Sequence, residues 1–240
     1  MQAAERIIVA LDTPEVEQAV RWVQQLRGRV GAFKLGLEFL HAAGPQGVEA
    51  VQEAGADRVF LDTKFSDIPN TVAGAVRSTC RQNPWLLNVH AMAGAAAMRA
   101  ARDAAVEHAS STGVPRPLVI AVTVLTSLDR EALGAIGVDG EVRDAVVRLA
   151  LLARESGLDG VVASPLEIEA IREACGREFL IVTPGIRPAG AAKHDQLRTA
   201  TPASAVAAGA DYLVIGRALT HAGDPAAAAA EIVAEIEAGA

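Results

Sequence analysis

Apolar residues in this chain arrive in short unbroken runs at even intervals. The runs occupy residues 7–11, 32–35, 59–61, 86–89, 118–122, 160–163, 179–182 and 212–215. Continuous apolar runs of this length, without strict alternation, read as strands buried on both faces. Between them apolar residues recur every three or four positions, as at Val16, Val20 and Val23 or at Val142, Val146 and Leu149. That spacing predicts helices with one face against a core. A weak repeat supports the alternation: Ala54-Gly-Ala-Asp57, Ser156-Gly-Leu-Asp159 and Ala208-Gly-Ala-Asp211 each precede an apolar run. Each reads as a helix ending on a glycine, a tight turn, then a buried strand.

Eight strand–helix units in 240 residues predict an α/β fold, a (β/α)8 barrel filling one domain from 1 to 240. A doubly wound sheet is the alternative, but it calls for a glycine-rich turn after the first strand, where this chain has Asp12-Thr-Pro-Glu15. No linker or low-complexity segment divides the chain, apart from the alanine-rich stretch at 226–230. Residues 110–117 and 188–195, rich in Gly, Pro, Ser and Ala, are the loops expected to move.

In such a barrel the C-terminal ends of the strands carry the chemistry. Polar residues stand there repeatedly: Asp12 after the first run, Lys34 inside the second, Asp62 and Lys64 after the third. Asn88 and His90 end the fourth, Thr123, Thr126 and Ser127 follow the fifth, and Ser164 follows the sixth. Asp62 and Lys64, two apart, share a face if the strand is regular. Asp67 follows as the chain turns, and Pro69 suits the first turn of a helix. Charges at a strand end are costly to bury unless they pair, and a solvated surface ion pair would be the plain reading of any one of them. Convergence of Asp12, Lys34, Asp62, Lys64 and Asp67 on one mouth makes them a candidate site. The last two runs lead into Thr183-Pro-Gly-Ile-Arg187 and Gly216-Arg217, the usual phosphate position of this fold, with backbone N–H groups and two arginines to hold a dianion.

Composition narrows the classes. A formal charge of −7 with no basic run argues against a nucleic-acid binder. Two distant cysteines, Cys80 and Cys175, fit reduced thiols in a cytoplasmic protein. The first residues lack a signal-peptide core, and no apolar stretch reaches the roughly 18 residues of a membrane span, so a soluble protein is expected. The five histidines show no metal-ligand spacing, His90 reads as a core or supporting residue, and no G-x-S-x-G elbow appears. What remains is a metal-independent enzyme acting on a phosphorylated substrate through lysine and aspartate.

Taken in order, Ile8-Val-Ala-Leu-Asp12, Phe33-Lys-Leu-Gly36, the Asp62-Thr-Lys64-Phe-Ser-Asp67-Ile-Pro-Asn-Thr71 core, Asn88-Val-His90, residues 121–127, Val182-Thr-Pro-Gly-Ile-Arg187, His194-Asp-Gln196 and Val214-Ile-Gly-Arg217 form a specific set. Nearly the whole chain resembles the common bacterial branch of the orotidine 5′-monophosphate decarboxylase family. The resemblance implies conversion of that nucleotide to UMP and CO2 without metal or cofactor. Lys64 would protonate C6 of the pyrimidine, with Lys34, Asp62 and Asp67 completing an alternating charge network. Asp12 and Lys34 would hold the ribose. Thr126 would help read the pyrimidine, and Arg187, Gln196, Gly216 and Arg217 would hold the phosphate. The resemblance further implies a homodimer with shared sites, Asp67 and Thr71 reaching in from the partner. A Mg²⁺-dependent sugar-phosphate lyase or decarboxylase on the same scaffold is the alternative, with Glu38 the only extra carboxylate near the second strand.

Overall fold

The eight apolar runs all form strands: β1 (Ile7–Ala10), β2 (Ala32–Leu35), β3 (Val59–Phe65), β4 (Leu86–His90), β5 (Leu118–Val122), β6 (Gly160–Val162), β7 (Leu180–Thr183) and β8 (Tyr212–Ile215). In the computed structural model, which describes residues 1–188 and 200–239, each strand pairs in parallel with the next. β8 returns to β1, closing a barrel in chain order and excluding the open sheet. The connecting helices are α1 (Val16–Leu26), α2 (Leu37–Glu53), α3 (Pro69–Cys80), α4 (Gly94–Thr112), α5 (Arg130–Ala135), α6 (Val142–Glu155), α7 (Ile168–Cys175), α8 (Pro202–Ala208), α9 (Arg217–Thr220) and α10 (Pro225–Ala238). Gln196, the whole of residues 189–199 and most of the 188–195 loop lie outside the described residues. The other loop expected to move begins as helix, because α4 runs on to Thr112 before Gly113 turns left-handed at φ 74°.

Strand periodicity divides the apolar residues between two cores. Ile8, Ala10, Ala32, Phe60, Leu86, Ile120, Val182 and Val214 fill the barrel. Their neighbours Val9, Phe33, Leu61, Leu87, Val119, Ile181 and Leu213 pack outward against the helices. Both faces of each strand are therefore dry, which is why the runs show no alternation in the sequence. Trp85 closes the lower end, edge-on to Tyr212 at 5.1 Å with the Arg58 guanidinium 5.6 Å from its ring centroid.

The repeated turns sit at the N-terminal end of the strands. Gly55, Gly157 and Gly209 adopt φ of 106°, 76° and 109°. The N–H after each bonds back to the helix it leaves: Ala56 to Val51, Leu158 to Ala153 and Ala210 to Ala205, at 3.3, 3.1 and 3.0 Å. Asp159 and Asp211 then accept the backbone N–H of Val119 and Ile181 on the preceding strands, at 2.7 and 2.8 Å. Arg116 and Arg172 hold these two carboxylates in place. Cys80 and Cys175 are buried at the ends of α3 and α7, and burial pushes the Cys80 thiol up to about 11. Among the described residues no helix is long and apolar enough to cross a membrane.

Candidate active site

At the opposite end the inward positions turn polar. The inner face of β1 continues from Ile8 and Ala10 to Asp12, that of β2 from Ala32 to Lys34, that of β3 from Phe60 to Asp62. Lys34 lies across from Ala10 on β1 and Phe60 on β3, so its ammonium rises between the two flanking carboxylates. Its Nζ stands 3.3 Å from Asp12 Oδ1 and 3.3 Å from Asp62 Oδ2, and Lys64 Nζ stands 2.7 Å from Asp62 Oδ1. The four side chains thus form a row of alternating charge, Asp12, Lys34, Asp62, Lys64. Lys34 and Asp62 are each only 8% exposed.

That row makes its own ionisation. Burial is the largest influence on Lys34 and would lower its pKa, but Asp62 and Asp12 together raise it above the ordinary 10.5. Burial would likewise raise Asp62, yet Lys34, Lys64 and the Asn88 amide hold its carboxyl below the ordinary 3.8. Burial, aided by the Lys64 ammonium and opposed by Asp62, keeps the His90 ring below 6.5 and so neutral at pH 7.

Lys64 reaches Asp62 by an irregular route. β3 is in register with β4 at Leu61 opposite Leu87 and again at Phe65 opposite Val89, so two extra residues bulge from β3. Lys64 sits in that bulge with φ of 49°, a conformation costing a non-glycine residue about 1–2 kcal/mol. Simple strand alternation is therefore not what brings Asp62 and Lys64 together. Asn88 is what the bulge closes around. Fully buried, it accepts the Lys64 N–H on Oδ1 at 2.7 Å, donates from Nδ2 to Asp62 Oδ1 at 2.7 Å, and accepts the Thr63 hydroxyl on its carbonyl at 2.9 Å. The sequence marks Asn88 as a polar residue in an apolar run and as part of a motif, but hides its partners.

A cavity of about 370 Å³ opens above this row. Asp12, Lys34, Asp62 and Lys64 line it together with Thr126, Arg187, Gly216 and Arg217, over an apolar base that includes Ala10, Phe60 and Val214. Arg187 follows β7 on a segment whose Ile186 bridges to Ala200, while Arg217 opens α9 directly after β8. At Gly216 a Cβ would sit in ordinary contact, 3.6 Å from the Ala10 Cβ and 3.7 Å from Asp12 Oδ2, so room alone does not call for glycine there. Gly36, unremarked except as part of a motif, is tighter, since its Cβ would come within 3.2 Å of Lys34 Nζ.

Not every residue singled out in the sequence belongs to this cavity. Asp67 and Thr71 are exposed and do not line it, and Asp67 Oδ1 accepts only its neighbour's N–H, Ile68, at 2.6 Å among the bonds seen. Thr123 is buried and bonds the Val162 carbonyl, and Ser164 caps a short 3₁₀ turn, so both serve the backbone. Glu38 is exposed in the first turn of α2. Among the described residues no three His, Cys, Asp or Glu side chains are grouped as a metal site.

The sequence model of the family described as orotidine 5′-phosphate decarboxylase / HUMPS matches residues 5–232, the whole barrel from before β1 into α10. The chain belongs to this family. That name spans more than one chemistry, and individual relatives narrow it. The orotidine 5′-phosphate decarboxylase of Moorella thermoacetica is 58% identical over 99% of this chain and 94% of its own length. That of Syntrophomonas wolfei is 52% identical over 99% of this chain and 100% of its own. Among solved structures, the orotidine 5′-phosphate decarboxylase of Lactobacillus acidophilus superposes with a TM-score of 0.84 at 34% identity, over 96% of this chain and 98% of that one. An uncharacterized conserved protein of Geobacillus kaustophilus gives 0.84 at 39% identity, over 96% and 99%.

Proposed function

We propose that this chain decarboxylates orotidine 5′-phosphate to UMP and CO2, with Lys64 as the proton donor and no metal or cofactor taking part. The observation that carries the reading is the row Asp12, Lys34, Asp62, Lys64 set beneath a cavity that also holds Arg187 and Arg217. As the bond from C6 to the carboxylate breaks, its electron pair stays on C6 in the plane of the ring, where the π system cannot spread it. A fixed ammonium beside that carbon stabilises the developing charge and then transfers a proton to it. The amine left on Lys64 recovers a proton from solvent.

The other roles follow from position and chemistry. Asp12 and Lys34 face the cavity from adjacent strands and suit the ribose hydroxyls. Thr126 offers a hydroxyl to the pyrimidine edge, and the two guanidiniums with the backbone at Gly216 suit a phosphate dianion. Gln196 joins the phosphate grip by resemblance alone. Binding energy collected at the phosphate then serves the chemical step, because the phosphate does not itself react.

We further assign Asp67 and Thr71 to the active site of a second copy, in a homodimer. Both are exposed beside their own barrel's mouth, and Ile68 between them is 67% exposed. A cytoplasmic location is in keeping with two buried reduced thiols. The formal charge of −7 disfavours nucleic acid as a partner.

The deciding experiment is a spectrophotometric assay for loss of orotidine 5′-phosphate, run with and without EDTA. Turnover unaffected by chelator is the expected result. No loss of the nucleotide, with Mg²⁺-dependent and chelator-sensitive turnover of a sugar phosphate instead, would move the chain to the sugar-phosphate branch of the scaffold.

A further inference from the structure

We infer that Asn88 is a positioning residue for the proton transfer, its carboxamide fixing the Lys64 backbone and the Asp62 carboxylate in one grip. The inference rests on Lys64 being the donor. A lysine at φ 49° in a two-residue bulge has no local reason to stay there. What holds it is the bond from its N–H to Asn88 Oδ1, while the other end of the same amide holds Asp62 Oδ1, which also receives the Lys64 ammonium, all three at 2.7 Å. Direction matters here. An amide turned the other way would set NH₂ against N–H and oxygen against carboxylate, so donor and acceptor must lie as they do. Remove the amide, and both the backbone of Lys64 and the carboxylate that aims its side chain are released together. Misplacing a reacting group by about 1 Å can cost on the order of 10²-fold in rate. Asn88 is buried beneath the charged row, does not line the cavity, and so acts through Lys64 and Asp62 rather than on substrate.

Two variants separate this role from mere filling of the bulge. Asn88→Leu keeps approximate volume and loses both polar ends. Asn88→Asp keeps the shape, and its protonated form reproduces the amide: an O–H for Asp62 and a carbonyl for the Lys64 N–H. Ionised, the introduced carboxyl faces the Asp62 carboxylate at hydrogen-bond distance, and two such groups share a proton, which raises one of the pair. Lys64, Lys34, Asp12 and His90 also border this pair, so the readout is the ratio of variant to wild-type kcat at each pH, in which contributions common to both cancel. We expect Asn88→Leu to lose about 10²-fold in kcat with KM changed less than about threefold. For Asn88→Asp the ratio should rise at least about tenfold between about pH 8 and about pH 5.5. A ratio that stays flat across that range overturns the proposal, and so does an Asn88→Leu enzyme with near-normal kcat or with kcat and KM impaired alike. Should Asn88→Leu not fold, the pH profile of Asn88→Asp decides alone. Wild type assayed alongside distinguishes the two failures. An inactive wild type refutes the decarboxylase reading and this one with it, whereas an active wild type with an active Asn88→Leu refutes only the role of Asn88.

Discussion

Two residues test the two halves of the site. Lys64→Ala removes the proton and the neighbouring cation together, so turnover should disappear while circular dichroism and melting temperature show a folded barrel. Arginine at that position should not rescue it, because the guanidinium differs in shape and does not give up its proton near neutral pH. Arg217→Ala removes a charge-assisted contact worth about 1.5–3 kcal/mol when partly desolvated. The loss should fall on kcat/KM for the nucleotide and largely spare a phosphate-free nucleoside, and equal losses on both would make Arg217 structural. The charged row also predicts a pH dependence of stability. Asp62 titrates lower in the fold than its ordinary 3.8, so its contribution is present above that pH and fades as acid takes the folded carboxylate. Lys34 titrates above 10.5 in the fold, so its contribution is full below that pH and is lost as pH rises through the folded value. In urea titrations the stability gap between wild type and Asp62→Asn should hold steady near neutral pH and shrink below 3.8. The sequence shows Asp12, Lys34, Asp62 and Lys64 clearly, because charges interrupting apolar runs require partners. It cannot show that Lys64 meets Asp62 through a bulge, since a bulge depends on a buried amide two strand positions into the neighbouring run.

Elements are legible for a different reason. A strand dry on both faces writes an unbroken apolar run, and all eight runs lie where strands form, with ends shifted by a few residues. The turn at Gly55, Gly157 and Gly209 is legible too, because only a left-handed residue lets the chain leave the helix for the next strand. Only the first three residues of the segment at 110–117 depart from the loop its composition suggests. In the fold, Ser111 and Thr112 turn their hydroxyls back to the His108 carbonyl and let the helix run on. The N-terminal turns carry stability rather than chemistry, and this can be measured. Gly157→Ala forces a side chain into φ of 76° and against the Arg102 side chain, and should cost about 1–2 kcal/mol in urea with kcat unchanged. A proportional fall in kcat would show that the two ends of the barrel are not independent.

On the scale of the molecule, Asp67 and Thr71 are the part of the sequence reading that a single chain does not complete. Exposed and outside their own cavity, they would enter a site only if a second barrel supplied it. Subunit exchange gives the measurement. Lys64→Ala and Asp67→Ala, each inactive alone, would form mixed dimers in which one site carries both lesions and the other carries neither. Random equimolar exchange should restore about a quarter of wild-type activity, since about half the dimers are mixed and each has one sound site. No recovery despite verified exchange would refute the shared site. A second copy would leave no trace in apolar periodicity, which reports only what a chain buries against itself.

The two cysteines turn the barrel into its own timepiece. Cys80 and Cys175 are both buried, the first with its thiol raised to about 11, so an alkylating reagent finds neither until the helix end that covers it has come away. They belong to α3 and α7, which follow strands three places apart around the ring. Under trapping conditions each thiol therefore records when its own side opens. Equal labelling rates would mean that the closed ring lets go all at once, and unequal rates would name the side that yields first.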